Sequence, residues 1–246
     1  MIPKRIFQIW IKKLPDSDIP NITKEFISNV KQWCSENGYE HVLVTRDSDD
    51  YKECIKKSKF CQKALRKNQW WVTAGLSDYI RLYLLNKYGG IYLDTDVKIK
   101  EGFEPFLSNL FFIGVEPIQH SRNTLFRRFD VGTIGRKSNN GLLQTLMTMM
   151  DKCFADNYFC KENIKEILKK IKYRYDKEVD VWIAIPDIMP FLIQEIWGKE
   201  IIIKNEPKIL QNTDNMFEVF DDTIMSKNGK YVEHFFHNMY KKTKTV

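Results

Sequence analysis

Two aspartates at a spacing suited to metal binding, Asp94 and Asp96, directly follow a short apolar run at residues 91–93. We expect that run to be a buried strand, and ligands of α/β proteins bind beyond the carboxyl ends of strands. Two carboxylates one residue apart can hold one Mn²⁺ or Mg²⁺, because these cations prefer carboxylate oxygens together with water and substrate phosphate. A cation held there would neutralise a diphosphate leaving group. The same spacing is also common in solvated turns, so the surrounding residues decide between the two interpretations.

A second pair of charged residues, Asp78 and Arg81, lies in the segment before this strand. Apolar residues recur at helical spacing between residues 74 and 87, which predicts a helix. At i,i+3 spacing the two side chains share one face of that helix. The planar guanidinium of Arg81 suits phosphate or hydroxyl oxygens, and Asp78 can accept hydrogen bonds from sugar hydroxyls. Gly89 and Gly90 would end the helix, since glycine tolerates the left-handed terminal conformation.

The rest of the pattern alternates helices with short apolar strands, which predicts an α/β layered domain. We expect residues 97–99 to extend the strand at 91–93 past a bend, and Asn21 or Thr23 to cap the first helix. The other predicted elements are strands at residues 2–11, 41–45, 111–115, 181–185 and 201–203, a turn at 37–38, and helices at 21–33, 47–67, 142–150 and 163–173.

The composition is that of an ordinary globular protein, because 43% of the 246 residues are hydrophobic and 29% are charged. No apolar run approaches the ~20 residues that a membrane-spanning helix needs. The five cysteines are odd in number and form no Cys-x-x-Cys pair, which argues against a disulfide framework and a zinc ribbon. Reduced thiols, and the lack of an export-signal pattern near the N-terminus, lead us to expect a cytoplasmic protein.

The net charge of +7 favours anionic partners, although a basic surface can also serve solubility alone. We find no nucleic-acid-binding motif and expect no nucleic-acid partner. Residues 161–177 form a basic amphipathic pattern, which is typical either of a packed helix with a solvated face or of a helix on an anionic membrane surface. Peripheral membrane contact, at the inner membrane face, therefore stays open.

The order of helix, double glycine, strand and Asp-x-Asp over residues 74–97 resembles the DXD-containing, sugar-binding region of glycosyltransferase family 32. That family includes fungal initiating mannosyltransferases and bacterial capsular polysaccharide enzymes, and it is similar to the catalytic core of the large glucosylating toxins. The resemblance implies a GT-A type nucleotide-diphospho-sugar transferase fold, which is an α/β fold with a mixed central sheet flanked by helices.

The segment from Ile2 to Trp10 resembles the opening strand of the same family, with Phe7 where the family usually has histidine. The resemblance implies that Trp10 stacks on the nucleobase of the donor, and a core tryptophan at a strand end is the alternative. It also implies that Gln8 and Ile9, beside Trp10, and Tyr92, in the strand before Asp94, belong to the donor-binding set.

The segment from Glu233 to Tyr240 is similar, in degenerate form, to the terminal His-His-x-x-x-Ser-Trp segment of the family. The resemblance implies that His234 completes the metal site and that the tail closes over the donor as a lid. Two alternatives stay open: His237 is the ligand, or both histidines are surface residues.

The middle of the chain carries weaker similarity. Residues 129–135 resemble a family stretch with Asn-Gly, and the resemblance implies that Asp130 contacts the donor sugar or the acceptor hydroxyl; a strand-end aspartate is the alternative. Residues 185–187 depart from the Thr-Gly-Pro of the family, which suggests an unusual acceptor pocket.

We therefore expect a single domain over residues 1–246, with a nucleotide-sugar-binding half (1–115) and an acceptor-side half with a C-terminal lid (116–246). The expected function is metal-dependent, retaining transfer of a hexose or N-acetylhexosamine to a carbohydrate acceptor: a capsular or surface polysaccharide, or a lipid-linked one. The donor is a nucleotide diphosphate sugar, UDP-sugar being favoured over GDP-sugar. The alternatives are an effector-like transferase that modifies a protein side chain and an inactive nucleotide-sugar-binding relative.

The expected roles follow the same resemblance. Asp96 binds the metal directly, and Asp94 binds it through water or binds the donor ribose and sugar. The full sets are Asp94, Asp96, Arg81 and Asp130 for catalysis, Trp10, Gln8, Ile9, Asp78, Arg81, Tyr92 and Asp94 for the donor, and Asp96, Asp94 and His234 for the metal.

Overall fold

The computed structural model describes residues 1–11, 19–66, 72–115, 129–138, 141–155, 217–220 and 229–235. Within these ranges the strands are β1 (Arg5–Ile9), β2 (Glu40–Val44), β3 (Gly90–Leu93), β4 (Val97–Ile99), β5 (Phe111–Val115), β6 (Phe129–Arg136), β7 (Phe217–Phe220) and β8 (Val232–His234). The helices are α1 (Asn21–Asn37), α2 (Asp49–Lys57), α3 (Lys59–Leu65), α4 (Val72–Tyr88) and α5 (Gly141–Ala155), and a 3-10 turn covers Glu104–Phe106.

Six strands form the central sheet, in the order β2-β1-β3-β6-β5-β7. Strand β1 is parallel to both of its neighbours, β2 and β3. Strand β6 is antiparallel to β3 and β5, and β7 is parallel to β5. The predicted mixed sheet is confirmed. Strands β7 and β8 were not predicted from the sequence, and a strand near β6 was considered only as the alternative for Asp130. Strands β6 and β7 both bring the second half of the chain into the sheet, while the predicted division at residue 115 stays a prediction.

Helices cover the sheet on both faces. Along β1 and β3, Phe7, Ile9 and Tyr92 belong to one buried cluster, which is completed by α2, α3, α4 and α5. Ile6 and Ile91 belong to the other cluster, which is completed by α1 and the β4–β8 pair. This alternation is the period of two expected of strands whose faces are both buried. The predicted flanking of the sheet by helices is therefore confirmed.

Strand β4 corrects one expectation. Residues 97–99 do not extend β3; they pair antiparallel with β8 in a separate two-stranded sheet. The chain turns at Thr95 and Asp96 after it leaves the central sheet. The alternating pattern of residues 97–99 fits a strand of either sheet, and because of this turn it forms a strand of the two-stranded sheet. The register sets Val97 opposite His234. This pairing places His234, which is far from Asp96 in the sequence, near the carboxyl end of β3.

Helix boundaries follow local signals, with one correction. Neither Asn21 nor Thr23 caps α1, because Pro20 takes the N-cap position and no side chain bonds the first turn. The helix ends at Asn37, beyond the predicted end, and Gly38 follows with the left-handed φ of 71°. The predicted helical region 47–67 is split at Ser58, whose hydroxyl accepts a hydrogen bond from the backbone N–H of Cys61 and so caps α3.

The end of α4 and the start of β3 depend on two glycines. Gly89 has a φ of 67° and Gly90 a φ of 113°, both in the region that side chains with a Cβ rarely adopt. A Cβ on Gly90 would lie 2.7 Å from the backbone oxygen of Arg5 in β1. The double glycine therefore allows α4 to turn directly into a strand that lies against β1, as the sequence predicted.

A half-buried carboxylate joins α3, α4 and α5. One oxygen of Asp151 accepts hydrogen bonds from the Ser58 hydroxyl at 2.7 Å and the Phe60 N–H at 2.9 Å. The other accepts from the Tyr79 hydroxyl at 2.6 Å. This network therefore holds the three helices together on the face of the sheet that carries the first cluster.

Cys34, Cys54 and Cys61 are buried free thiols. In the ranges that the structure describes, no helix is both long and apolar enough to cross a bilayer. Several predicted features lie outside those ranges: the helix at 163–173, the basic segment at 161–177, the strands at 181–185 and 201–203, residues 185–187, and His237.

Candidate functional site

The carboxyl end of β3 is held by backbone hydrogen bonds on both sides of the expected metal site. The N–H of Asp94 donates to the carbonyl oxygen of Gly132 in β6 at 2.8 Å. The carbonyl oxygen of Asp96 accepts from the N–H of Phe235, directly after β8, at 3.1 Å. The Asp94–Asp96 turn is therefore fixed to the central sheet at its start and to the small sheet at its end.

Asp94, Asp96 and His234 come together at this turn. Nε2 of His234 lies 3.2 Å from Oδ1 of Asp96 and 3.8 Å from Oδ2 of Asp94. Each residue offers one ligand atom, and these atoms all lie within 4.8 Å of one another. Two carboxylate oxygens and one imidazole nitrogen are a donor set that a divalent cation such as Mn²⁺ accepts. The residues present therefore fit the expected cation.

The position of His234 results from the packing of β8. Its strand pairs with β4, and the ring of Phe235 packs against Phe26 of α1 with centroids 4.8 Å apart. The His234 side chain is only 6% exposed. Of the two histidines considered from the sequence, His234 is placed beside the aspartates, and His237 is outside the described residues.

Arg81 connects helix α4 to the turn that contains Asp94 and Asp96. Its NH2 group lies 2.9 Å from Oδ1 of Asp78 and 3.5 Å from Oδ1 of Asp94, so the predicted shared face of α4 is observed. The guanidinium also lies over the ring of Tyr92, 4.3 Å from its centroid. Arg81 is buried, and these contacts make it a fixed brace between two carboxylates.

Tyr92 is the second group that orients Asp94. Its hydroxyl donates to Oδ1 of Asp94 at 2.6 Å. Burial raises the pKa of Tyr92 well above its ordinary value, and the nearby Asp94 raises it further against the opposing charge of Arg81. The phenol therefore stays protonated, and its side chain is a donor to the carboxylate throughout the neutral pH range.

Carboxylates outnumber cationic side chains in the described part of the site. Asp78, Asp94 and Asp96 supply three carboxylates, and Arg81 supplies one guanidinium. Because these side chains are largely buried, solvent screens their charges poorly, and the carboxylates would attract a divalent cation strongly.

Gln8 and His41 lie behind Asp94. Gln8 is fully buried, and its Nε2 donates to the carbonyl oxygen of Asp94 at 3.1 Å. Its Oε1 accepts from Nε2 of His41 at 3.0 Å. Sequence reasoning missed His41; the available signal was one polar residue within the otherwise apolar run of residues 41–44.

Three other expected site residues lie around this edge. Ile9 is a core residue at the end of β1, and Trp10 follows it, half-buried. The indole N–H of Trp10 is buried and has no hydrogen-bond partner in the described part of the chain. Asp130 lies near the start of β6, opposite Gly114 of β5. The same strand contains Gly132, which accepts the hydrogen bond from the N–H of Asp94. The roles of Trp10, Ile9 and Asp130 stay predictions.

Residues 1–243 match the model of a protein family described as capsular polysaccharide synthesis protein. Inositol phosphoceramide mannosyltransferase 1 of Schizosaccharomyces pombe is 26% identical over 134 residues, which is 50% of this chain and 37% of the yeast protein. An uncharacterized glycosyltransferase of Acanthamoeba polyphaga mimivirus is 25% identical over 150 residues, 61% of this chain and 56% of the viral protein. The chain thus matches less than two thirds of the length of either relative.

Among solved structures, PaToxG glycosyltransferase superposes with a TM-score of 0.49 at 17% identity, over 79% of this chain and 70% of that protein. A glycosyltransferase involved in the glycosylation of the major capsid of PBCV-1 superposes with a TM-score of 0.39 at 11% identity, over 94% of this chain and 92% of that one. Likenesses of this size support no argument about the chemistry of this chain.

Proposed function

Because the chain belongs to the family of capsular polysaccharide synthesis proteins, as the sequence resemblance implied, we propose that it is a metal-dependent glycosyltransferase. It moves a hexose or N-acetylhexosamine from a nucleotide diphosphate sugar to a carbohydrate acceptor with retention of configuration. The observation that carries the proposal is the meeting of Asp94, Asp96 and His234 at the carboxyl end of β3.

The reaction exchanges one bond at the anomeric carbon of the sugar. The bond from that carbon to the diphosphate oxygen breaks, and its electron pair leaves with the diphosphate. The acceptor hydroxyl oxygen forms the new bond, and its proton passes to the released diphosphate. A divalent cation, when bound by Asp94, Asp96 and His234, supplies positive charge that stabilises the leaving diphosphate. The imidazole nitrogen in the donor set favours Mn²⁺ over Mg²⁺, because Mg²⁺ prefers oxygen ligands.

The protein's own contribution is a preorganised set of charges. Tyr92 and Arg81 both contact Oδ1 of Asp94, so this carboxylate does not need to reorient when the donor binds. Fixed groups of this kind lower the reorganisation needed during the reaction. We assign to Asp78, braced by Arg81, the role of accepting a hydrogen bond from a hydroxyl of the donor sugar.

Trp10 supports the placement of the nucleotide. Strands β1 and β3 are parallel neighbours, so Trp10 and Asp94 follow strands that end at the same edge of the sheet. A diphosphate at Asp94 and Asp96 would leave the base near Trp10, where the indole ring can stack on it. We propose a UDP-sugar as donor, and Asp130 in the adjacent strand β6 as a contact to the sugar or the acceptor.

The acceptor is proposed from the family and one relative. The name of the yeast relative gives mannose as the transferred sugar and inositol phosphoceramide as its acceptor, which supports a hexose donor and a lipid-linked carbohydrate acceptor. Transfer to such an acceptor would take place on the cytoplasmic side of the membrane, with the chain as a peripheral protein.

The first test is thermal unfolding of the purified chain with UDP or GDP, with and without Mn²⁺. A ligand at 100 times its dissociation constant stabilises the folded state by about 2.7 kcal/mol, and we expect a metal-dependent shift with UDP. Release of UDP from a panel of UDP-sugars, with and without carbohydrate acceptors, then tests transfer. A folded protein that no nucleotide stabilises with Mn²⁺ would contradict the proposal, and transfer to protein alone would favour an effector-like enzyme.

A further inference from the structure

We propose that His41 is a positioning residue for Asp94 and that it acts through the side-chain amide of Gln8. The inference rests on the proposed function, because its effect is expressed in the binding of metal and donor. His41 lies in β2, Gln8 in β1, and Asp94 directly after β3, so the three residues connect three adjacent strands of the central sheet.

The amide of Gln8 takes the place of a backbone ladder at the end of β3. Strands β1 and β3 pair through Ile6 with Ile91 and Phe7 with Tyr92. Beyond Tyr92, the Nε2 of Gln8 donates to the carbonyl oxygen of Asp94 at 3.1 Å. The N–H of Asp94 is bonded to β6 on the other side. The side chain of Gln8 therefore provides the hydrogen bond from β1 to the backbone of Asp94.

A glutamine amide can serve this purpose in only one of its two orientations. With Nε2 toward Asp94, the amide donates to the carbonyl oxygen of Asp94. In the flipped orientation, Oε1 of Gln8 would face that carbonyl oxygen, and two acceptors would meet without a proton between them. Gln8 is fully buried, so water cannot relieve this mismatch, and a buried polar group without a partner is costly.

His41 supports the productive orientation from the other end of the amide. With Nε2 of Gln8 toward Asp94, Oε1 of Gln8 faces Nε2 of His41 at 3.0 Å and accepts a hydrogen bond from the tautomer that carries its proton there. The parallel register sets His41 opposite Ile6, and Gln8 is two residues further along β1, so both polar side chains lie on one face of the sheet. Since Asp94 is placed through its backbone, a shift there moves its carboxylate relative to Asp96 and His234.

Groups that orient a metal ligand from behind typically change metal affinity by about 10–100-fold when they are removed. We expect His41→Leu, which deletes the donor, to weaken binding of Mn²⁺ alone by about 10-fold or more. His41→Gln, which restores an N–H donor at a similar reach, should bind Mn²⁺ within about threefold of the wild-type chain. Gln8→Met removes the same link and should give the same loss, so it replaces His41→Leu if that variant does not fold.

The matched control is Ser58→Ala, which removes a buried hydrogen bond to Asp151 on the opposite face of the sheet. We expect it to lower the melting temperature without changing Mn²⁺ affinity. Calorimetric titration of Mn²⁺ into each folded protein separates the outcomes. A wild-type chain that does not bind Mn²⁺ contradicts the proposed function itself. Two outcomes would overturn the positioning role alone. In the first, His41→Leu binds Mn²⁺ as tightly as the wild-type chain. In the second, His41→Gln or Ser58→Ala loses as much Mn²⁺ affinity as His41→Leu.

Discussion

Nε2 of His234 lies 3.2 Å from Oδ1 of Asp96, although the two residues are far apart in the sequence. The contact follows from the pairing of β4 with β8, in which Val97, next to Asp96, stands opposite His234. A metal site completed in this way depends on tertiary pairing, so binding of the cation and docking of the strand should stabilise each other.

Replacement of Asp96 by Asn tests the metal site directly. The amide keeps the shape of the side chain but removes one of the two carboxylates of the cluster. We expect Mn²⁺ affinity and turnover to fall by more than about 100-fold, beyond the effect of a group behind the ligands. Stability without metal should not fall, because repulsion between two adjacent carboxylates is relieved.

Glu101→Gln is the control for this variant. It removes the same charge from a half-exposed residue that pairs with Lys230, outside the cluster, and should leave turnover unchanged. Turnover at the wild-type rate in Asp96→Asn, measured at a Mn²⁺ concentration that just saturates the wild-type chain, would exclude a direct metal role for Asp96.

His234 and His237 can be separated by alanine variants. His234 lies close to both aspartates, so His234→Ala should weaken Mn²⁺ binding by about 10-fold or more. His237→Ala should leave Mn²⁺ binding unchanged. The comparison is made by calorimetric titration of both proteins. A loss confined to His237→Ala would assign the third ligand to the tail instead.

Two tyrosines offer a matched pair of variants. The hydroxyl of Tyr92 donates to Asp94 at 2.6 Å, and that of Tyr79 donates to Asp151 at the same distance. Since each bond has a charged acceptor, each Tyr→Phe change should cost about 1.5–3 kcal/mol in the free energy of unfolding. Only Tyr92→Phe should also lower turnover, because only Asp94 belongs to the cluster.

Urea unfolding and steady-state kinetics of the two variants make this comparison. Equal turnover in Tyr92→Phe and Tyr79→Phe would mean that the Tyr92 hydroxyl serves folding alone and does not orient Asp94 for the reaction.

The part of the site that could be predicted from the sequence is the part built from local signals. The helical period of α4, the glycines that end it and the apolar strand that follows are all contained in residues 74–97. The i,i+3 spacing alone was enough to place Asp78 beside Arg81.

The rest depends on pairing between distant segments. Strand β6 contains two glycines, a threonine and an arginine. Glycine is depleted in strands, so this segment does not stand out as a strand in the sequence. The short pattern at residues 97–99 fits either sheet, and only pairing with β8 decides between them. The link from His41 to Gln8 could not be read from the sequence, because one histidine in a strand does not reveal its partner.

The stability of the fold should depend on pH through His41. Burial, followed by the positive charge of Lys31, lowers the pKa of His41 below its ordinary value of 6.5. Between the lowered pKa and 6.5 the unfolded chain binds more protons than the folded chain, so stability decreases as the pH falls through this range. The slope from His41 cannot exceed about 1.4 kcal/mol per pH unit, because the folded and unfolded chains differ by at most one proton on this ring.

Urea unfolding between pH 8 and pH 5, as test conditions, compares the wild-type chain with His41→Gln. All other titrating groups are common to both proteins, so the difference between the two curves reports His41. We expect the wild-type chain to lose more stability below about pH 6.5. Parallel curves would contradict the lowered pKa.

Trp10 tests the position of the nucleotide. Stacking of a base on an aromatic side chain contributes about 1–3 kcal/mol, so Trp10→Ala should weaken binding of UDP with Mn²⁺ by about 5-fold to 150-fold. Trp10→Phe keeps an aromatic face but removes the buried indole N–H, which has no partner among the described residues. We expect its affinity to lie between those of the wild-type and alanine proteins.

Trp33→Phe serves as the control, because Trp33, in α1, packs against Tyr39 and Phe103, away from the carboxyl end of β1. This change should lower the melting temperature without affecting nucleotide affinity. If Trp10→Ala also loses only stability and binds UDP as tightly as the wild-type chain, Trp10 is a core residue, and the base must lie elsewhere along the edge of the sheet.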